Sequence, residues 1–217
     1  VLMENAGRGV VDKLLQLDPE LGSTEDSTDR SVAVLCGKGN NAGDGFVIAR
    51  HLGIRGVGAQ VILLCSPAEL EGDAKTNFDL LEGCTAQVFD LSRDVSGEDS
   101  AYGALVERLD EHAAGAAWLV DAMLGTGAAG EPRDPLGVAI TWMNRQPSSR
   151  LAVDIPSGLD CDTGKPAHCT VRANHTCTFV AVKSGFLAPT AQQYLGEVSV
   201  VSIGAPQRVL DQAATES

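Results

Sequence analysis

The segment from Ser31 to Leu52, SVAVLCGKGNNAGDGFVIARHL, constrains this chain more than any other. Val32 to Leu35 is a short apolar run of the kind a parallel sheet buries on both faces. Gly37, Gly39, Gly43 and Gly45 then break the run, and Phe46, Val47, Ile48, Ala49 and Leu52 fall largely on one side of a helix. A strand, a glycine-rich turn and a helix in this order aim backbone N–H groups at whatever lies above the sheet, usually an anion. Asn40, Asn41 and Asp44 make the turn polar, and their side chains suit a ligand, an ion or their own backbone. The plainer alternative has Asp44 capping the helix and the asparagines taking left-handed turn geometry. No Gly-Lys-Ser/Thr closes the turn, so it is not a Walker A loop. Gly37-x-Gly39-x-x-Ala42 is only a near match to the dinucleotide fingerprint.

The rest of the chain repeats the alternation. Helices are predicted over 1–17, 71–82, 101–112 and 134–144, the last begun by Asp134 with Pro135 in its first position. Further strands are predicted over 60–64, 86–89, 118–121, 151–154, 176–180 and 197–203, with polar connections over 20–30 and 91–100. Strands separated by helices at this spacing predict a three-layer α/β/α Rossmann-like sandwich with a mostly parallel central sheet. A length of 217 residues fits one sizeable core, and no linker rich in Pro, Gly or Ser divides residues 1–217 into two domains.

Lys and Arg number 16 against 29 Asp and Glu, a formal charge of -13, which argues against nucleic acid as a partner. Aromatics at 4% leave little for a stacking platform. No apolar run of membrane length and no leader are seen, so no membrane partner is expected. Six cysteines, with Cys36 and Cys65 in or beside strands, suit reduced thiols in the cytoplasm or an organelle interior. A mitochondrial location would fit if an upstream targeting segment had been removed. Cys161, His168, Cys169, His175 and Cys177 do not have zinc-site spacing.

In such folds the site lies beyond the carboxyl ends of the strands. Two predicted strands end there in Asp, as Val120-Asp121 and Val153-Asp154, each followed by a glycine-containing loop. One such Asp would pass for a cap; two at equivalent places suggest a site. Carboxylates beside Asn and Ser either bind a cation or move a proton. Hard oxygen donors suit an alkali ion, Mg²⁺ or Ca²⁺. Lys183, just past the sixth strand, is a surface lysine or one that meets an anion or assists proton transfer. Lys38 is solvated or meets a phosphate. Glu4 and Asn5 are surface residues or face the glycine turn.

With these blocks together the chain resembles the YjeF N-terminal domain family, the NAD(P)H-hydrate epimerases, also called apolipoprotein A-I-binding protein in animals. The likeness rests on LMENAG from Leu2 to Gly7, GKGNNAGDG from Gly37 to Gly45, and Val120-Asp121-Ala122 with Gly125. It continues in VDIPSGLD from Val153 to Asp160, then in Thr178-Phe179, Lys183, Gly185 and Gly196-Glu197-Val198. The resemblance implies that the chain interconverts the R and S epimers of hydrated NADH or NADPH, and that it forms a homodimer. It implies a dinucleotide held by Asn40, Asn41, Ala42, Gly43, Asp44, Gly125, Thr126, Gly127, Ala128, Ala129, Gly130, Glu131 and Asp154. It also implies potassium (K+) on Asn41, Asp121 and Ser157.

Two residues depart from the family pattern, Ala42 for Gly and Ser184 for Pro. Ala42 forbids little unless its position needs positive φ, in which case the turn is strained or shifted. No kinase-like dehydratase segment is present, so the expectation is a stand-alone epimerase or a piece of a longer protein. Exchange at the hydrated carbon breaks and re-forms a C–O bond and needs an acid–base residue, for which Asp154 is the first candidate and Lys183 the second. A non-catalytic scaffold module of the same fold and an ordinary NAD(P) oxidoreductase are the rival readings. The intact Asn41, Asp121 and Ser157 set speaks against the first. The lack of a ribose-reading acid after a normal fingerprint, and of a catalytic Tyr or His pair, speaks against the second.

Overall fold

The computed structural model describes residues 1–22, 30–92 and 99–205. Seven strands form one sheet: β1 (Val32–Cys36), β2 (Ala59–Leu63), β3 (Gln87–Asp90), β4 (Trp118–Ala122), β5 (Ser149–Val153), β6 (His175–Phe179) and β7 (Glu197–Val201). Their order is β3-β2-β1-β4-β5-β6-β7, and every neighbouring pair is parallel. The chain moves outward from β1 in one direction and then returns to β4 on its other side. That reversal opens a crevice above β1 and β4, where ligands of doubly wound sheets bind.

The alternation of side chains along β1 assigns the two faces. Val32, Val34 and Cys36 join the core under α1 (Leu2–Leu17), α2 (Asn40–Ile54) and α3 (Gly72–Asp79). Ala33 and Leu35 join the core under α4 (Asp99–Ala113) and α5 (Leu136–Arg145). The short α6 (Gln192–Leu195) covers a third cluster built on Ile155, Leu159 and Phe186. The predicted three-layer sandwich is therefore the observed one.

Most boundaries fall within a few residues of the expectation, with two informative differences. Helix α5 starts at Leu136, with Pro135 in the cap position and no side-chain cap bond, so Asp134 does not begin it. The second difference concerns the organising segment. Helix α2 begins at Asn40, so Asn40 to Gly45 form its first turns and not a turn ahead of it. The glycines there serve close packing. A Cβ on Gly45 would lie 2.8 Å from Ala122 Cβ and 2.9 Å from Cys36 Sγ, and one on Gly43 would lie 2.6 Å from Met3 Sδ. Lacking side chains, these residues let α2 press against both the sheet and α1. Residues 41–49 of the helix are all buried as a result. Ala42 is fully buried in this helical stretch and does not have positive φ, so its methyl group imposes no strain.

Glu4 and Asn5 do not face the site. Glu4 takes a hydrogen bond from Arg50 and meets His51 Nε2 at 2.7 Å, which ties α1 to the far end of α2. Asn5 Nδ2 donates to the Ile203 carbonyl at 2.8 Å. The predicted connections at 20–30 and 91–100 lie largely outside the described residues.

Candidate functional site

The carboxyl ends of β1, β4 and β5 bring the predicted residues together in two groups. The first centres on Asp121, the fourth residue of β4, which is wholly buried. Its Oδ1 accepts from Ser157 Oγ at 2.6 Å and from Met123 N at 3.2 Å, and its Oδ2 accepts from Ser157 N at 2.7 Å. Ser157 Oγ in turn accepts from Leu124 N at 2.9 Å. Asn41, in the first turn of α2, donates through Nδ2 to the carbonyls of Leu124 at 2.9 Å and Val153 at 2.6 Å. A Cβ on Gly125 would lie 2.5 Å from Asn41 Oδ1, so only glycine admits the asparagine there. Asn41, Asp121 and Ser157, far apart in sequence, thus meet around Leu124. Burial pushes the Asp121 carboxyl up to about 6, with the Ser157 and Met123 donors holding it back.

Strand β5 ends at Val153, not at Asp154. The Asp154 amide still extends the ladder to Cys177 O at 2.8 Å, but Asp154 itself turns to φ 65 and Ile155 N folds back onto Val153 O at 2.8 Å. A non-glycine residue in the left-handed region costs on the order of 1 kcal/mol or more and persists where the surroundings enforce it. Here the surroundings are Phe179 N at 2.9 Å, Thr178 Oγ1 at 3.1 Å and Lys183 Nζ at 2.7 Å, all on Asp154 Oδ1. Lys183 also donates to the Phe179 carbonyl at 3.0 Å, so it is paired within the fold and not a free surface lysine. The sequence reading did not single out Thr178 or the Phe179 amide as partners. Both sit at the end of β6, which was the available clue.

Asp44 lies one turn past Asn41 on α2 and is 6% exposed. It does not cap the helix: Gly39 occupies the cap position and no side chain bonds the free N–H groups. Those groups remain open to a ligand. Burial, with the negative charge of Asp154 behind it, pushes Asp44 up to about 8. An acid whose folded pKa is raised lends stability that is whole below its unfolded pKa and is lost as pH rises through the folded one. The window for Asp44 runs from 3.8 to about 8. Asp44→Asn is therefore expected to melt higher than wild type at pH 8, by about 1–3 kcal/mol of stability, and to lose that advantage towards pH 4. A melting difference that does not change across the window would contradict this burial argument.

Two cavities lie side by side along this edge. One, of about 350 Å³, is lined by Leu124, Gly125, Ala128, Gly130, Glu131 and the loop from Ile155 to Asp160. The other, of about 500 Å³, is lined by Gly37, Lys38, Cys65 and the segment from Ala128 to Leu136. The segment around Ala128 to Glu131 forms a wall shared by both. Ala129 faces the second cavity; Thr126, Gly127 and Asn40 are exposed and line neither. Asp44, Asp154 and Lys183 also line neither cavity. Glu131 Oε2 accepts from His168 N at 2.8 Å, which fixes one end of the wall. Lys38 is exposed and pairs with Glu69 at 3.0 Å, at the mouth of the second cavity.

Residues 1–185 match the sequence model of the YjeF-related protein N-terminus. The chain belongs to that family. It is 44% identical over 212 residues to an NAD(P)H-hydrate epimerase of Pirellula staleyi, covering 98% of this chain and 86% of the relative. An NAD(P)H-hydrate epimerase of Rhodopirellula baltica is 38% identical, with 98% and 78% covered. The bifunctional NAD(P)H-hydrate repair enzyme Nnr of Salinibacter ruber is 40% identical over 98% of this chain, which spans only 38% of that relative. In fold, the chain is similar to the crystal structure of yeast ynu0, with TM-score 0.71 and 23% identity over 92% of this chain and 76% of the other. The YjeF-type segment contains both groups of site residues, and β7 lies beyond it.

The oxygens around Leu124 also suit a monovalent cation. Asn41 Oδ1 accepts no hydrogen bond among the described residues; its amide meets the Leu124 carbonyl through Nδ2, and Ser157 Oγ joins Leu124 N to the buried Asp121 carboxylate. These are hard donors with a single formal charge between them. None of the described helices is long and apolar enough to cross a membrane.

Proposed function

We infer that this YjeF-type chain is an NAD(P)H-hydrate epimerase, which interconverts the R and S forms of hydrated NADH and NADPH. The observation that supports this most directly is the meeting of four polar strand and helix ends at one edge of the sheet. Asn41 from α2, Asp121 from β4 and the Asp154–Lys183 pair after β5 and β6 stand beside the open N-terminus of a buried helix.

The substrate is a dinucleotide with an anionic pyrophosphate, and the chain as a whole is acidic. Free N–H groups at the start of α2 counter that repulsion locally. The two adjacent cavities flank the wall near Ala128 to Glu131 and offer room for part of a dinucleotide, whose reacting end is assigned to the neighbouring edge beside Asp154 and Lys183. Asn41, Asp121 and Ser157 would hold a potassium ion, which supplies a fixed positive charge that offsets carboxylates and phosphates. The residues themselves keep the β4 and β5 loops in register whether they meet through the ion or through Leu124. Asp154 and Lys183 form the charged pair assigned to the reacting ring, as acid–base or charge-stabilising groups. A homodimer belongs to the same proposal.

Incubating purified protein with separated epimers of hydrated NADH tests the reading. Catalysed equilibration of the epimers is expected, with no net oxidation or reduction. Redox turnover of intact NADH without epimer exchange would favour an oxidoreductase instead.

A further inference from the structure

Asp44 differs from the other polar side chains of this edge. Asp121 takes donors from Ser157 and Met123, Asp154 takes three on one oxygen, and Asn41 donates to two carbonyls. Asp44 is 94% covered, at 6% exposed, and its carboxyl has no hydrogen bond or ion pair among the described residues. An unpartnered buried carboxylate is costly; the group is either neutral or waiting for a ligand. The charge that acts on it is that of another acid, Asp154. Nothing in the packing of α2 requires an acid there, since Ala42, Gly45 and Phe46 fill the space against the sheet.

We propose that Asp44 is the acid–base residue of the epimerisation, giving its proton to the hydroxyl that leaves the hydrated ring carbon. This rests on the epimerase reading above and goes beyond it by naming the proton carrier. The hydrated carbon bears a hydroxyl and is bonded to the ring nitrogen. The nitrogen lone pair forms a C=N bond as the C–O bond breaks, and Asp44 protonates the departing oxygen, which leaves as water. The products of this step are a cyclic iminium cation, water and the Asp44 carboxylate. Water then adds to the other face of the C=N bond, the bonding electrons return to nitrogen, and Asp44 takes the proton back. Atoms, charge and oxidation state balance, and no co-reactant is needed.

The surroundings suit both halves of this cycle. Burial and the neighbouring Asp154 raise Asp44 to about 8, so the proton is available near neutral pH. Lys183, Thr178 and the Phe179 amide converge on Asp154 Oδ1, and a negative charge held there would offset the iminium. Two carboxyls in unequal environments thereby take unequal roles.

The experiment follows exchange of separated hydrated-NADH epimers in oxygen-18 water for wild type, Asp44→Asn and Asp44→Ala. Asp44→Asn, which keeps shape and removes the titrating group, is expected to lower kcat about 10²-fold or more with KM within about threefold. Wild type is expected to place oxygen-18 in the product at the rate of epimer exchange. Formate is expected to restore part of the rate to Asp44→Ala, a readout that a packing defect would not give. Undiminished kcat in both variants, a loss confined to KM, or exchange without oxygen-18 uptake would each overturn the assignment. Wild type that fails to exchange epimers would instead remove the epimerase reading itself.

Discussion

Asp154→Asn is expected to slow epimer exchange by about 10²–10³-fold while the protein still melts cooperatively. The amide keeps the shape of the side chain, so Phe179 N and Thr178 Oγ1 can still find an acceptor. What disappears is the carboxylate partner of Lys183, now 2.7 Å from Asp154 Oδ1, and with it the charge proposed to face the ring. The same change withdraws the charge that helps keep Asp44 protonated. Asp154 also holds φ 65 at the end of β5, a conformation that asparagine tolerates better than most residues. The stability cost should therefore be small and the kinetic cost large. The measurement is kcat and melting temperature on the same preparation; unchanged kcat would take Asp154 out of the reaction.

Asp121→Ala should show the opposite balance. Three donors lose their acceptor in a fully buried place: Ser157 N, Ser157 Oγ and Met123 N. At about 1–3 kcal/mol for each group left unsatisfied, partly relieved by entering water, a loss of roughly 3–5 kcal/mol is expected. For a chain of this size about 1 kcal/mol moves Tm by ~2–4 °C, so the fall should be easy to see by calorimetry. The variant should also lose any response to potassium. Wild type is expected to melt higher in potassium chloride than in a bulky-cation salt of equal ionic strength, by linkage of binding to folding. Equal potassium responses in the two proteins would refute the placing of the ion at Asp121.

The fold was legible because its signals are local. Burial of β1 on both faces reads as Val32 to Leu35 without polar interruption, and each later strand has its helix beside it in sequence. The glycine-rich segment was harder. Gly43 and Gly45 read as turn residues because glycine is most familiar where φ is positive. In the protein they are helical, and their value is the missing Cβ against Met3, Ala122 and Cys36. Those neighbours come from α1, β4 and β1, so no window along the chain could reveal the reason.

The candidate site divides in the same way. Polar residues at strand and helix ends pointed to Asn41, Asp121, Asp154 and Lys183, and the family resemblance added Ser157. Their roles needed the third dimension. The pairing of Lys183 with Asp154 and the isolation of Asp44 depend on which groups α2, β5 and β6 bring to one edge. Hydrogen-bond partners and desolvation are set by distances of a few ångströms between segments distant in the chain. Periodicity and composition, which register only near neighbours, determine the layers and the edge; tertiary packing alone decides which carboxyl is paired and which stands without a partner.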